Sequence, residues 1–386
     1  MKKRGILFIL LLLIFVSGCG IKRDNGEVTI NVYNWGEYIS NGRDGSLNVN
    51  NEFTKETGIK VNYTTFQSNE ELFAKLSSGG ANYDVIIPSD YMISKLIEND
   101  MLHKIDFNNV PNYNMIDEKF KYLDYDLNNE YSVPYTWGLM GIFYNKSLVD
   151  EKEEQINWDI LWNEKYKGKI LMFDNARDAF AIAHFILGNS INSKNENDWY
   201  NAAEKLKQQK PFVQAYVMDQ IFDKMANEEA ALAPYYSGDA VLMKKSNSNI
   251  GFVIPKDGTN RFVDAMCIPK SSNRKSEAEK YINFMCRTDV ALANVEYTGY
   301  STPHKEAYNQ LDESVKNNEI FYPNADIINN TQVFVNLPSN INKLLDELWI
   351  QIKTGGNGNP ILLLVILLTF VLLYILVLLY KRKKLR

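Results

Sequence analysis

Apolar and polar positions alternate with period two through Val28-Thr29-Ile30-Asn31-Val32-Tyr33, the pattern of a strand with one buried face. Glu52 to Thr57 changes to helical spacing and stops at Gly58. A second strand follows over 59–63, a helix over 69–78 closed by Gly79-Gly80, a short apolar strand over 83–88 and a helix over 91–98. The pattern then resumes with strand-like segments at 131–135, 141–144 and 169–173, helices over 178–187 and 198–208, and strands at 230–233, 250–253 and 265–268. Helices over 275–286 and 341–352 complete it. Short apolar strands joined by helices predict an α/β fold with a mostly parallel, covered sheet. The length suits two lobes better than one core.

Two apolar runs carry neither period. Residues 1–19 begin Met-Lys-Lys-Arg, continue through Ile6 to Val16 and end in Val16-Ser17-Gly18-Cys19. A basic start, a short apolar core and a small-residue exit predict a signal peptide. The last four residues resemble the bacterial lipobox, in which the cysteine becomes lipidated, so Cys19 is the expected lipid site. Two acyl chains hold firmly, each buried CH₂ adding roughly 0.8 kcal/mol. Residues 361–380 form an unbroken apolar stretch, near the roughly 20 residues a helix needs to cross a bilayer. The basic tail 381–386 places the C-terminus in the cytoplasm by the positive-inside rule. Residues 355–360 are a short Gly-Asn linker. A transmembrane helix and a domain held on the extracytoplasmic face of the membrane are therefore expected.

Charge sharpens this picture. Three of the 42 basic residues fall in 2–4 and five in 381–386; the remaining 34 are 13 fewer than the 47 acidic ones. The exported part thus attracts cations and repels nucleic acid, although plain solubility also favours such a surface. Cys267 lies in an apolar strand pattern and Cys286 at the end of an apolar helix pattern, so both read as buried free thiols. The histidines His103, His184 and His304 are scattered and no CxxC occurs, so neither a metal site nor a cofactor is expected.

Several stretches together resemble one family. They are Tyr33-Asn34-Trp35-Gly36-Glu37-Tyr38, the run 53–61, Tyr83-Asp84-Val85-Ile86-Ile87-Pro88-Ser89-Asp90-Tyr91, Pro134-Tyr135-Thr136-Trp137-Gly138, the run 164–169, Asp174-Asn175-Ala176-Arg177-Asp178 and Thr298-Gly299-Tyr300-Ser301-Thr302-Pro303. In this order they resemble the spermidine/putrescine-binding proteins of polyamine ABC importers, over about residues 27–354. The resemblance implies a two-lobed periplasmic-binding-protein fold with hinge strands and a ligand clamped between lobes. It assigns about 27–138 and 265–305 to the first lobe, and about 139–264 and 306–354 to the second. A polyamine ligand and ABC permease subunits are the implied partners, and no catalysis is implied.

A polyamine is an apolar rod carrying ammonium groups. Enclosing it strips water from each charge, which needs a carboxylate in return, while aromatic faces suit both methylenes and cations. Open α/β sheets place ligands at strand ends. The resemblance makes Trp35 and Tyr38 walls and Glu37 the carboxylate for a terminal amine; on residue pattern alone these fit a strand-end turn. Ser89 and Tyr91 would line the cleft, Ser89 serving equally as a helix N-cap. Asp178 would pair an amine, or complement a helix dipole. Asp264 matches the family's other carboxylate, where a solvated strand end is the alternative. Tyr236, Phe262 and Tyr300 would complete an aromatic box, although with 23 tyrosines in the chain no single one is diagnostic. Arg177 reads as a structural partner, since it would repel the ligand.

This chain departs from the family pattern in places. Gly36 stands where many members carry Thr or Ser, Asn175 where an amine-pairing Asp is common, and Tyr236 and Phe262 where Trp is frequent. An insertion at 41–45 lengthens the loop beside the pocket. Three rival functions remain: a binder of another solute in the same fold, a secreted glycosidase-like enzyme, and a sensor whose C-terminal helix signals. Three carboxylates oppose the first, the lack of GxSxG or HExxH the second, and the six-residue tail the third.

Overall fold

The computed structural model describes residues 28–80 and 82–355. The signal and lipidation expectations at 1–19, most of the linker, the apolar run 361–380 and the basic tail lie outside these residues. No helix among the described residues is long and apolar enough to cross a membrane.

The strands are β1 (Thr29–Trp35), β2 (Lys60–Phe66), β3 (Val85–Ile86), β4 (Ser132–Asn145), β5 (Ile170–Phe173), β6 (Val213–Val217), β7 (Leu232–Tyr236), β8 (Ile250–Val253), β9 (Thr259–Cys267) and β10 (Thr331–Gln332). They run in the order β2-β1-β3-β9-β4-β7-β5-β6, with β10 on β9 and β8 on β4. β1 is parallel to β2 and β3, and β5 is parallel to β6 and β7. Between these flanks, β9 runs antiparallel to β3 and β4, and β4 antiparallel to β7 and β8. The expectation of a mostly parallel sheet thus holds for the flanks and fails at the centre, where the chain runs back across the molecule.

β4 is where the path divides. Ser132 to Leu139 pairs with β9, whereas Met140 to Tyr144 pairs with β7. All fourteen residues of β4 are buried. The sequence pattern shows it as two pieces because Pro134, Gly138 and Gly141 interrupt the apolar run. A register shift between Pro134 and Thr136 accommodates the proline, which has no N–H to give a ladder. β9 likewise begins six residues before the strand expected from Ala265, since its first half carries polar side chains inward.

The flanking helices start and stop where their caps dictate. Asn48 accepts from Asn51 N at 3.0 Å to open the helix Val49–Thr57, which ends at Gly58 in the left-handed region with φ 72°. Ser68 opens Asn69–Ser77, and Asn175 opens Ala176–Leu187 by accepting from Arg177 N at 3.1 Å. That cap starts the helix two residues before its apolar period becomes visible. The last described helix, Ser339–Thr354, buries Ile341, Leu345, Leu348 and Ile352 at i, i+4, i+7 and i+11. Cys267 and Cys286 are free and buried, as the pattern predicts.

Candidate functional site: an acidic, aromatic slot

A slot opens at the strand ends between the two halves of the sheet. It contains about 650 Å³ of atom-free space including its mouth, yet a water centre can occupy only about 50 Å³ of it.

The turn after β1 supplies one wall. Trp35 packs on Phe66 with ring centroids 4.4 Å apart, and its buried Nε1 has no hydrogen-bond partner. Tyr38 turns back beneath, where its hydroxyl donates to Asp264 Oδ2 at 2.5 Å and lies 2.6 Å from Thr136 Oγ1. Asp264 and Thr136 are partners in the β4–β9 ladder, so the crossing strands themselves aim this carboxylate. Ser89 sits opposite Asp264 through an isolated bridge. It does not cap the following helix; its hydroxyl accepts from Asn69 Nδ2 at 3.1 Å instead. Tyr91 donates to Glu70 Oε1 at 2.9 Å, and Phe334 meets its ring edge-on at 5.7 Å.

The facing wall comes from β7 and its neighbours. Tyr236 ends β7 and donates to Asp178 Oδ2 at 2.6 Å, with Asp178 in the first turn of the helix capped by Asn175. Rings continue from Tyr235 to Tyr236 at 4.9 Å, to Phe262 at 5.4 Å, to Tyr300 at 6.3 Å and to Tyr38 at 4.5 Å. Tyr300 lies against the backbone of Gly238, where a Cβ would come within 2.3 Å of its ring. That contact sets the Tyr300 hydroxyl 2.6 Å from Asp239 Oδ2.

Four aspartates therefore line the slot, each beside a tyrosine hydroxyl: Asp264 with Tyr38, Asp178 with Tyr236, Asp239 with Tyr300, and more loosely Asp219 with Tyr235 at 3.4 Å. No Lys, Arg or His lines it. Burial is the main cause of raised pKa values, which reach about 6 at Asp264, about 7 at Asp178 and about 8 at Asp239. Tyrosine hydroxyls pull each of these back toward the ordinary range. Burial also raises Asp219, against the pull of Gln67 and Tyr235. Neighbouring negative charge adds to burial: Glu70 and then Asp264 raise Asp178, and Asp219 and Glu37 raise Asp239. Asp264 Oδ1 and Asn260 Oδ1 are buried acceptors without partners. Such a lining calls for a ligand that is rich in N–H donors and positively charged.

Of the expected residues, Trp35, Tyr38, Ser89, Tyr91, Asn175, Asp178, Tyr236, Phe262, Asp264 and Tyr300 all line the slot. Glu37 does not. Its backbone is left-handed with φ 46°, and its carboxylate takes Arg43 Nη1 at 3.1 Å from the inserted 41–45 loop. Arg177 stays out of the slot. Its buried guanidinium lies 4.4 Å from the Phe334 ring and 5.2 Å from that of Tyr91, and its Nη2 donates to Asn192 Oδ1 and Val335 O. Asp219 and Asp239 escaped the sequence reading. Both follow strand ends, β6 and β7, but β7 extends three residues beyond the apolar run that betrays it.

Comparison with known proteins places this geometry. The family of bacterial extracellular solute-binding proteins matches residues 49–323. The spermidine/putrescine-binding periplasmic protein of Escherichia coli K12 is 35% identical over 329 residues, 85% of this chain and 92% of its own. The chain belongs to the bacterial extracellular solute-binding proteins. As a member, it has a two-lobed α/β fold, presents its binding domain outside the cytoplasm and binds solutes rather than transforming them. A solved structure from Listeria monocytogenes is 39% identical with a TM-score of 0.79, covering 84% of this solute-binding protein and 98% of that chain. The spermidine/putrescine ABC transporter substrate-binding protein of Streptococcus pneumoniae is 35% identical with a TM-score of 0.70, covering 85% and 99%.

Proposed function

We propose that this solute-binding protein captures a polyamine, spermidine or putrescine, in the slot and delivers it to the permease subunits of an ABC importer. The observation that carries this reading is the set of four aspartates, each beside a tyrosine hydroxyl, in an aromatic slot to which no described basic residue contributes. Asp178 and Asp264 receive one ammonium end and Asp239 the other. Trp35, Tyr38, Tyr236, Phe262 and Tyr300 enclose the methylenes, with Ser89, Tyr91 and Asn175 as polar margin. Glu37 adds negative charge at the mouth without lining the slot. The names of the relatives agree with this assignment.

The lobes divide at the crossing strands, about 27–138 with 265–305 and about 139–264 with 306–354. Ligand bridging the two favours the closed form, which docks on the permease. We further propose that a lipid at Cys19 and membrane insertion of the apolar segment 361–380 hold the domain at the membrane. Calorimetric titration of the full chain with spermidine, putrescine and a neutral diol tests the reading. Micromolar or tighter binding of an amine, about −8 kcal/mol or better, with none of the diol, is expected. Failure of every amine to bind folded protein would refute it.

A further inference from the structure

The mouth of the slot contains a contact that the general architecture does not require. A Cβ built on Gly36 would lie 2.1 Å from Asp219 Oδ2, 2.9 Å from its Cγ and 3.3 Å from Oδ1. Gly36 belongs to the turn after β1, and Asp219 follows β6 at the far end of the strand path. The carboxylate of one side thus occupies the volume that any other residue at 36 would fill. It is steadied there by Gln67 Nε2 at 3.4 Å, from the β1 side, and by the Tyr235 hydroxyl at 3.4 Å from its own. Both bonds are long, so the carboxylate keeps acceptor capacity toward the slot it lines.

We propose that the missing side chain at Gly36 lets Asp219 reach across the cleft as an additional ammonium-pairing carboxylate, and that this pair sets preference for triamines over diamines. The inference rests on the amine reading above. A diamine carries two charges, which Asp239 at one end and the Asp178–Asp264 group at the other can satisfy. A third ammonium needs a further carboxylate, and Asp219, neighbouring Asp239, supplies it. A side chain at 36 displaces that carboxylate by steric overlap without removing its charge from the protein. Gly36 and Asp219 therefore act as one device, although one has no functional group.

The test is a titration of the full chain and the variants Asp219→Asn, Gly36→Ser and their double with spermidine and putrescine. Asp219→Asn is expected to weaken spermidine ten- to hundredfold and putrescine less than fivefold. Gly36→Ser should give the same selectivity loss. The double should match Asp219→Asn alone, because both substitutions remove the same contact. Additive losses, or an unchanged spermidine-to-putrescine ratio in Asp219→Asn, would overturn the proposal while wild-type amine binding stands. If the wild type binds no amine, the functional reading itself falls. Circular dichroism confirms folding of Gly36→Ser, and Asp219→Asn, which leaves the backbone and volume intact, decides the matter alone if that variant is unstable.

Discussion

Replacing Asp239 by Asn should strengthen the empty protein and weaken the loaded one. Asp239 is 4% exposed, its Oδ2 accepts from Tyr300, and its pKa rises from 3.8 to about 8, through burial first and the charges of Asp219 and Glu37 after. Because the folded value lies above the unfolded one, the group's stabilising contribution is complete below pH 4 and lost as pH rises through 8. A shift of about four units at about 1.4 kcal/mol each gives a ceiling near 6 kcal/mol. Relaxation and water penetration bring the expected penalty at pH 9 to about 2–3 kcal/mol. Asn keeps the shape and an acceptor for Tyr300 but never ionises. Urea denaturation of ligand-free protein should therefore find the variant about 2–3 kcal/mol more stable than wild type at pH 9 and nearly equal at pH 4. Amine affinity at pH 8 should move the other way. Exchanging a charge-assisted hydrogen bond for a neutral one removes about 1–2 kcal/mol, roughly five- to thirtyfold. Parallel pH–stability curves for the two proteins, or undiminished binding by the variant, would refute the assignment of Asp239 as a desolvated carboxylate awaiting a cation.

Amine binding should release protons near neutral pH, because Asp264, Asp178 and Asp239 titrate between about 6 and about 8 when empty and ionise beside ammonium; affinity should rise from pH 6 to pH 8, and titrations in buffers of different ionisation enthalpy will count the protons. Asp264→Ala should weaken binding by at least about 2 kcal/mol, since it leaves an enclosed ammonium without its carboxylate; unchanged calorimetric affinity would exclude Asp264 from the site. Glu37→Gln should alter affinity less than fivefold, the pair with Arg43 being largely exposed; a loss beyond tenfold would return Glu37 to direct contact.

Much of the site was legible through the family resemblance, whose motifs fall at strand ends; local pattern alone left a strand-end turn or a helix-dipole acid as equal readings. Trp35 and Tyr38 close an alternating strand, and Asp178 opens an apolar helix. What the sequence could not show was orientation. Glu37 is flanked by two wall residues, yet a left-handed backbone and an arginine six residues on turn its carboxylate away. Asp239 was hidden because β7 continues through Pro234, Tyr235 and Tyr236, residues that an apolar-run criterion does not extend through. The long β4 was hidden for a related reason: buried on both faces, it has no alternation, and Pro and Gly break its run. Periodicity marks elements with one wet face, and the crossing strands have none.

The phenol bound to each aspartate has a bearing on mineral ions. An acidic slot open to the outside of a cell meets abundant magnesium and calcium, which require six or more oxygens gathered at one point. Among the described residues no three carboxylates gather where they could hold a metal ion, and three of those in the slot have an oxygen already engaged by a tyrosine proton at 2.5–2.6 Å. A divalent metal would have to strip those protons and draw separate walls together, whereas an ammonium simply adds N–H donors to the oxygens left over. Millimolar magnesium should consequently leave amine affinity changed by no more than its ionic strength explains. The tyrosines that close the slot also keep it from silting up with hard cations.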